Sequence, residues 1–129
     1  MKNLLSKRTL NKYSRQIILK DVGIIGQKKI FNSKILVVWA GGLGSPVIDL
    51  LFRAGVGFLG IIEDDKVDYS NLHRQTLYDY NDVGKYKSDV IKKKIKLIND
   101  KIRLKIFKER ANDKNLGKIL PKFDIIVDG

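Results

Sequence analysis

A chain of 129 residues, 43% of them hydrophobic, buries one modest core and makes one domain at most. It contains no cysteine, which excludes disulfides, thiolate metal sites and a cysteine nucleophile within these residues and points to a reducing, cytoplasmic setting. The formal charge of +12, from 26 Lys plus Arg against 14 Asp plus Glu, raises nucleic acid and anionic membranes as partners. Neither is expected, because the lysines are dispersed, no aromatic or arginine-rich readout motif accompanies them, and no apolar run reaches membrane-spanning length.

Leu10, Tyr13 and Ile17 predict an amphipathic helix, and Gly23 and Gly26 break its pattern. "SKILVVW", residues 33–39, is apolar and β-branched, as a strand buried on both faces of a parallel sheet should be. A turn containing Gly41, Gly42 and Gly44 follows, and Ser45 and Pro46 suit the first positions of a helix. Val47, Ile48, Leu51 and Phe52 give that helix an apolar face, and Gly55 and Gly57 end it. "FLGIIEDD" predicts a second strand finishing in Glu63, Asp64 and Asp65.

After a polar stretch, Val90, Ile91, Ile95 and Ile98 lie at near-helical spacing under a lysine-rich face. Ile102, Leu104 and Ile106 alternate as in a third strand, and "FDIIVDG" is a fourth. Strands alternating with helices predict an α/β fold, a Rossmann-like parallel sheet with flanking helices, preceded by an N-terminal helical segment at 1–33. The nucleotide-binding part, 34–129, ends on a strand with no helix to cover it and so reads as truncated, the first part of a longer domain.

Positions 39, 41 and 44 have the spacing of G-x-G-x-x-G with Trp39 in place of the first glycine. In that fingerprint the second glycine lets backbone approach a phosphate, a role for Gly41, and the third lets helix approach strand, a role for Gly44. Asp65 lies twenty-one residues after Gly44 at the end of the next strand, where an acid accepts ribose hydroxyls. No Gly-Lys-Ser/Thr follows, so this is not a Walker loop. Asn71, Arg74, Gln75 and Lys87 share the next polar stretch, and cations beside a phosphate cradle suit phosphoryl or nucleotidyl transfer. Glu63 and Asp64, as adjacent strand residues, should face opposite ways, so no metal site is expected there. His73 reads as a surface residue.

These residues resemble the MoeB/ThiF adenylyltransferases, bacterial relatives of ubiquitin-activating enzymes. The likeness rests on "YSRQIIL" at 13–19, "GGLGSP" at 41–46, "AGVG" at 54–57, "DDKVDYSNLHRQT" at 64–76 and "VGKYKSD" at 83–89. It implies an enzyme that binds ATP and Mg²⁺ and adenylates the C-terminal glycine of a ubiquitin-like sulfur carrier of the molybdopterin or thiamine biosynthesis type. The nucleophilic carboxylate is already ionised, so positioning and charge neutralisation suffice. The resemblance places Gly41, Gly42 and Gly44 at the nucleotide and Asp65 on its ribose. Asn71, Arg74 and Lys87 fall on its phosphates, with Arg15 reaching the site of a neighbouring subunit in a homodimer or a pair with a homologue. Bland readings stand beside these: a helix-face arginine at 15, a strand-end acid at 65, a surface lysine at 87.

Two departures from the family bear on activity. The family's Thr-Asp-Asn element, whose aspartate helps hold Mg²⁺, belongs after Gly129 in the family's order, and so does its carrier-binding region. Trp39 stands where relatives have glycine, and an indole there should either distort the turn or project over the strand ends, weakening ATP binding in either case. The alternatives are a catalytically silent interaction half of an activating dimer and a nicotinamide-binding Rossmann domain.

Overall fold

A computed structural model describes residues 6–129; the start of the expected N-terminal segment, residues 1–5, lies outside the described residues. Four parallel strands, β1 (Lys34–Val38), β2 (Phe58–Ile62), β3 (Arg103–Phe107) and β4 (Ile125–Asp128), form one sheet in the order β3-β2-β1-β4. The expected α/β Rossmann-like sheet is present. β1 is central because its run Ile35, Leu36, Val37 and Val38 is buried throughout and can be covered on both faces.

Alternation along the strands builds two cores. Ile35, Val37, Leu59 and Ile61 meet Ile48 and Phe52 of α4 (Gly44–Ala54) and Ile91 and Ile95 of α5 (Lys87–Ile98). Leu36, Val38 and Ile62 face the other way, against Leu116 and Ile119 of α6 (Asp113–Ile119). Gly60 is required on that second face: a Cβ there would stand 2.3 Å from the ring of Phe123, which fills the slot.

Helix α6 has no counterpart among the expected elements. It is short and carries few apolar residues, but it is well capped. The Asn112 side chain accepts the amides of Lys114 and Asn115, and Asn115 Oδ1 accepts the Asn112 amide in return.

The N-terminal segment differs from the expected single helix. It forms α1 (Lys7–Lys12), α2 (Ser14–Ile17) and α3 (Gly23–Asn32). Gly23, at φ 56°, opens α3, and Gly26 lies inside it, because glycine can enter a helix from the left-handed region as readily as leave one. Gln16 and Gln27 both donate to the Ala54 carbonyl, at 2.8 and 3.0 Å, and so tie α2 and α3 to the last turn of α4. Among the described residues no helix is long and apolar enough to cross a membrane.

Candidate functional site

The turn from β1 into α4 is held tightly. The Trp39 amide donates to Ile62 at 3.0 Å and the Gly129 amide to Val38 at 2.9 Å, prolonging the ladder on both flanks. A Cβ on Gly44 would lie 1.8 Å from the Trp39 carbonyl oxygen, so the third glycine is obligatory where helix meets strand end.

Trp39 itself has φ 73°, the one non-glycine residue in the left-handed region among the described residues. Alternation would aim its side chain at α4. The positive φ sends the indole to the opposite face, against the cluster of Leu36, Val38, Ile62 and α6. The expected outcomes, a distorted turn or an indole thrown over the strand ends, are therefore corrected: the turn keeps the backbone a glycine would adopt and stores the strain locally.

Beyond Trp39, the amides of Gly41, Gly42, Leu43 and Gly44 find no acceptor among the described residues. They open the eleven-residue α4, whose N-terminal partial charge favours an anion. Two side chains lie over them: Arg74 Cδ and Nε are 3.5 Å from where a Gly42 Cβ would be, and Gln75 Nε2 is 3.7 Å from the same position on Gly41.

Glu63 organises the site in a way its sequence position did not disclose. Its carboxylate is buried and accepts the Ala40 amide at 2.7 Å and the Asp65 amide at 2.9 Å, clamping the glycine turn to the end of β2. The Tyr78 hydroxyl donates to the Ala40 carbonyl at 2.8 Å. Burial raises the Tyr78 pKa strongly, with Glu63, Asp82 and Asp65 adding to it, so the phenol remains a donor.

Oxygens of Glu63, Asp64 and Asp65 approach within 4.8 Å of one another, because β2 ends at Ile62 and strand alternation no longer separates them. That corrects the expectation that Glu63 and Asp64 face apart. Both Glu63 oxygens are nonetheless occupied by backbone amides, so Glu63 braces the turn.

Lys87 corrects the surface-lysine reading. It opens α5 with its side chain 6% exposed, and its ammonium stands 3.9 Å from the Asp65 carboxylate, which is 63% exposed. Asn71 Oδ1 accepts the Asp68 amide at 2.9 Å, leaving its Nδ2 hydrogens free among the described residues. Arg74 donates to the Ser70 carbonyl at 2.9 Å and pairs with no carboxylate among the described residues.

Thus Gly41, Gly42, Gly44, Asp65, Asn71, Arg74 and Lys87 gather at the carboxyl ends of β1 and β2. Arg15 does not join them. It lies exposed on α2, beside the last turn of α4, and the helix's eleven residues put about 15 Å between that end and the glycine turn. His73 is exposed, as expected, with Nδ1 2.9 Å from the Ser70 carbonyl.

Four buried polar atoms have no partner among the described residues: Ser45 Oγ, Asp64 Oδ1, Gln75 Oε1 and Ser88 Oγ. All belong to the segments that ring the turn, and buried polar groups without partners call for a ligand or water. Gln75 thus belongs to the site as well, although the family resemblance gives it no role; its place in the same polar stretch as Arg74 was the available signal.

Comparison with known proteins agrees with this fold. The ThiF family model matches residues 13–129. The sulfur carrier protein adenylyltransferase of Thermus thermophilus is 42% identical over 123 residues, which are 95% of this chain and 45% of that protein. A solved structure of TcdA (CsdL) superposes with a TM-score of 0.88 at 24% identity, over 97% of this chain and 49% of the other, a likeness of fold. A structure of E. coli MccB with ATP superposes with a TM-score of 0.77 at 30% identity, over 90% of this chain and 36% of that one. The chain spans less than half the length of each.

Proposed function

Because the chain belongs to the ThiF family, we propose that it forms the ATP-binding part of an adenylyltransferase acting on the C-terminal glycine of a ubiquitin-like sulfur carrier protein. The four free amides of Gly41 to Gly44 at the mouth of α4 carry this reading, since they form a phosphate cradle with two long polar side chains already laid across it. The unpartnered Ser45 Oγ and Gln75 Oε1 support it, as buried atoms that a polar ligand would satisfy.

In this reading the Asp65 carboxylate takes ribose hydroxyls, while Asn71 Nδ2, Arg74 and Lys87 take the phosphates. ATP supplies the α-phosphorus that the carrier's carboxylate attacks, with pyrophosphate leaving. Arg74 and Lys87 neutralise the negative charge there, and Lys87, short of water, does so more strongly than an exposed cation could. Mg²⁺ would arrive with the nucleotide; of the three acids at the turn Glu63 is already committed to backbone amides, whereas Asp64 Oδ1 has no partner among the described residues.

Arg15 cannot serve its own turn, so its proposed role is in the site of a second copy or a homologue. The exposed Ile18, Leu19, Ile24 and Ile25 around it give such a partner an apolar surface to cover. Titration calorimetry with ATP and with NAD tests the nucleotide assignment: ATP should bind at least tenfold more tightly. Equal or tighter binding of NAD would replace this reading with a nicotinamide-binding one.

A further inference from the structure

At the other end of the sheet lies a cavity of about 480 Å³, beside the residues that lead into β2 and β3. Its floor is apolar, formed by Tyr13, Phe31, Val56 and Ile102. Arg8, Lys12, Lys96, Lys101 and Arg103 surround it, against a single carboxylate, Asp100. None of these five cations pairs with a carboxylate among the described residues.

Cations often gather where helices end, to complement the last carbonyls. Here three of those carbonyls already have side-chain donors. Gln16 and Gln27 hold Ala54, Asn99 Nδ2 donates to Phe52 at 3.1 Å, and Lys12 donates to Ile98 at 2.6 Å. Arg8, Lys96 and Lys101 are left with no acceptor among the described residues, and Arg103 has only the ring of Phe58, at 5.2 Å. Burial lowers the Lys12 pKa; Asp100 pulls it back up, and Arg8 and Lys101 each lower it. Leu97, 78% exposed, forms an apolar lip on the same cavity.

We propose that this cavity is a second ligand site, separate from the glycine turn, which takes a small organic monoanion with an aromatic or branched apolar body. The volume suits such a molecule. Its body lies on Tyr13, Phe31 and Val56, and its charge remains at the rim near Arg8 and Lys101. A compact polyanion would leave the floor uncovered, and a neutral apolar molecule would leave the cations unanswered.

The test compares 2-naphthoate with its neutral counterpart 2-naphthalenemethanol, titrated into ¹⁵N-labelled protein. Naphthoate should saturate at one equivalent, at least tenfold more tightly than the alcohol, shifting the amides of Tyr13, Val56 and Leu97 and sparing Gly41 to Gly44. Arg8→Gln and Lys101→Gln, both at exposed positions, should each weaken naphthoate at least threefold and leave the alcohol unchanged. Leu97→Asn should weaken both probes. Saturating ATP should alter none of this, whether or not ATP binds at the glycine turn. Equal affinity for the two probes, absence of saturation, or competition with ATP overturns the proposal.

Discussion

Lys87 meets Asp65 twice: its backbone amide donates to the Asp65 carbonyl at 3.0 Å, and its ammonium approaches the Asp65 carboxylate to 3.9 Å. The backbone bond fixes where α5 begins, and the side-chain pair sets a buried cation against a solvated acid. Removing the cation leaves no buried charge behind, since Asp65 is the exposed partner. Lys87→Met should therefore stabilise the fold by about 1 kcal/mol in urea unfolding. In calorimetry the same variant should lose at least tenfold in ATP affinity. A variant that loses both stability and affinity would make Lys87 a structural residue alone.

Glu63→Gln tests the clamp. A carboxylate accepts the Ala40 and Asp65 amides together, whereas a carboxamide turns its NH₂ toward one of them. The buried, unmatched donor should cost about 2 to 3 kcal/mol of unfolding free energy. Unchanged stability would show that the turn holds without Glu63.

Position 39 should invert the usual order of alanine and glycine. Trp39→Ala gives up the indole's contacts with the α6 face and keeps a β-carbon in the left-handed region. Trp39→Gly gives up the same contacts and relieves the strain. Chemical denaturation should find both less stable than the parent, with the glycine variant above the alanine variant by about 1 kcal/mol. ATP affinity should stay within about threefold of the parent in the glycine variant, because the indole lies on the side of the sheet away from α4.

Gly44→Ala and Gly117→Ala form a matched pair. The first puts a methyl 1.8 Å from the Trp39 carbonyl and should cost about 3 kcal/mol. The second, inside α6 with nothing within 4 Å, should gain up to about 1 kcal/mol from helix propensity. Thermal melts of the two decide whether the turn or glycine content in general governs stability.

Tyr78 sets an alkaline limit. Its pKa is raised in the folded chain from an unfolded value of 10.0, so the stability it lends is complete below pH 10 and is lost as pH rises beyond that value. Tyr78→Phe should flatten this alkaline limb in a pH series of urea midpoints. At neutral pH it should cost about 1 to 3 kcal/mol by stranding the buried Ala40 carbonyl.

The strands were legible because β-branched runs such as Ile35 to Val38 are buried on both faces and leave an unbroken apolar signature. The glycine turn was legible through spacing, and Arg74 and Lys87 through the family element around them. Direction was not legible. Whether Trp39 faces α4 or α6 depends on one backbone angle that spacing does not encode. Glu63 reads like any acid at a strand end until its two amide donors are located. Helix α6 leaves a faint signal because its Asn112 and Asn115 cap lies among loop-like residues, with only Leu116 and Ile119 to mark a buried face. The burial of Lys87 was not legible either: the family element singles the residue out, but only packing shows that it is buried where Lys92 and Lys93 are exposed.

The central place of β1 also governs the order in which the molecule assembles. Its β2 flank pairs with chain that follows soon after, whereas its β4 flank joins Lys34 to Asp124, ninety residues apart. Closing that loop must wait for Asp124, so pairing of β1 with β2, and of β2 with β3, precedes docking of β4. In the interval Leu36 and Val38 stand uncovered beside an unpaired strand edge. The emerging polypeptide is then most open to pairing with another copy of itself, and a chaperone would have most to protect.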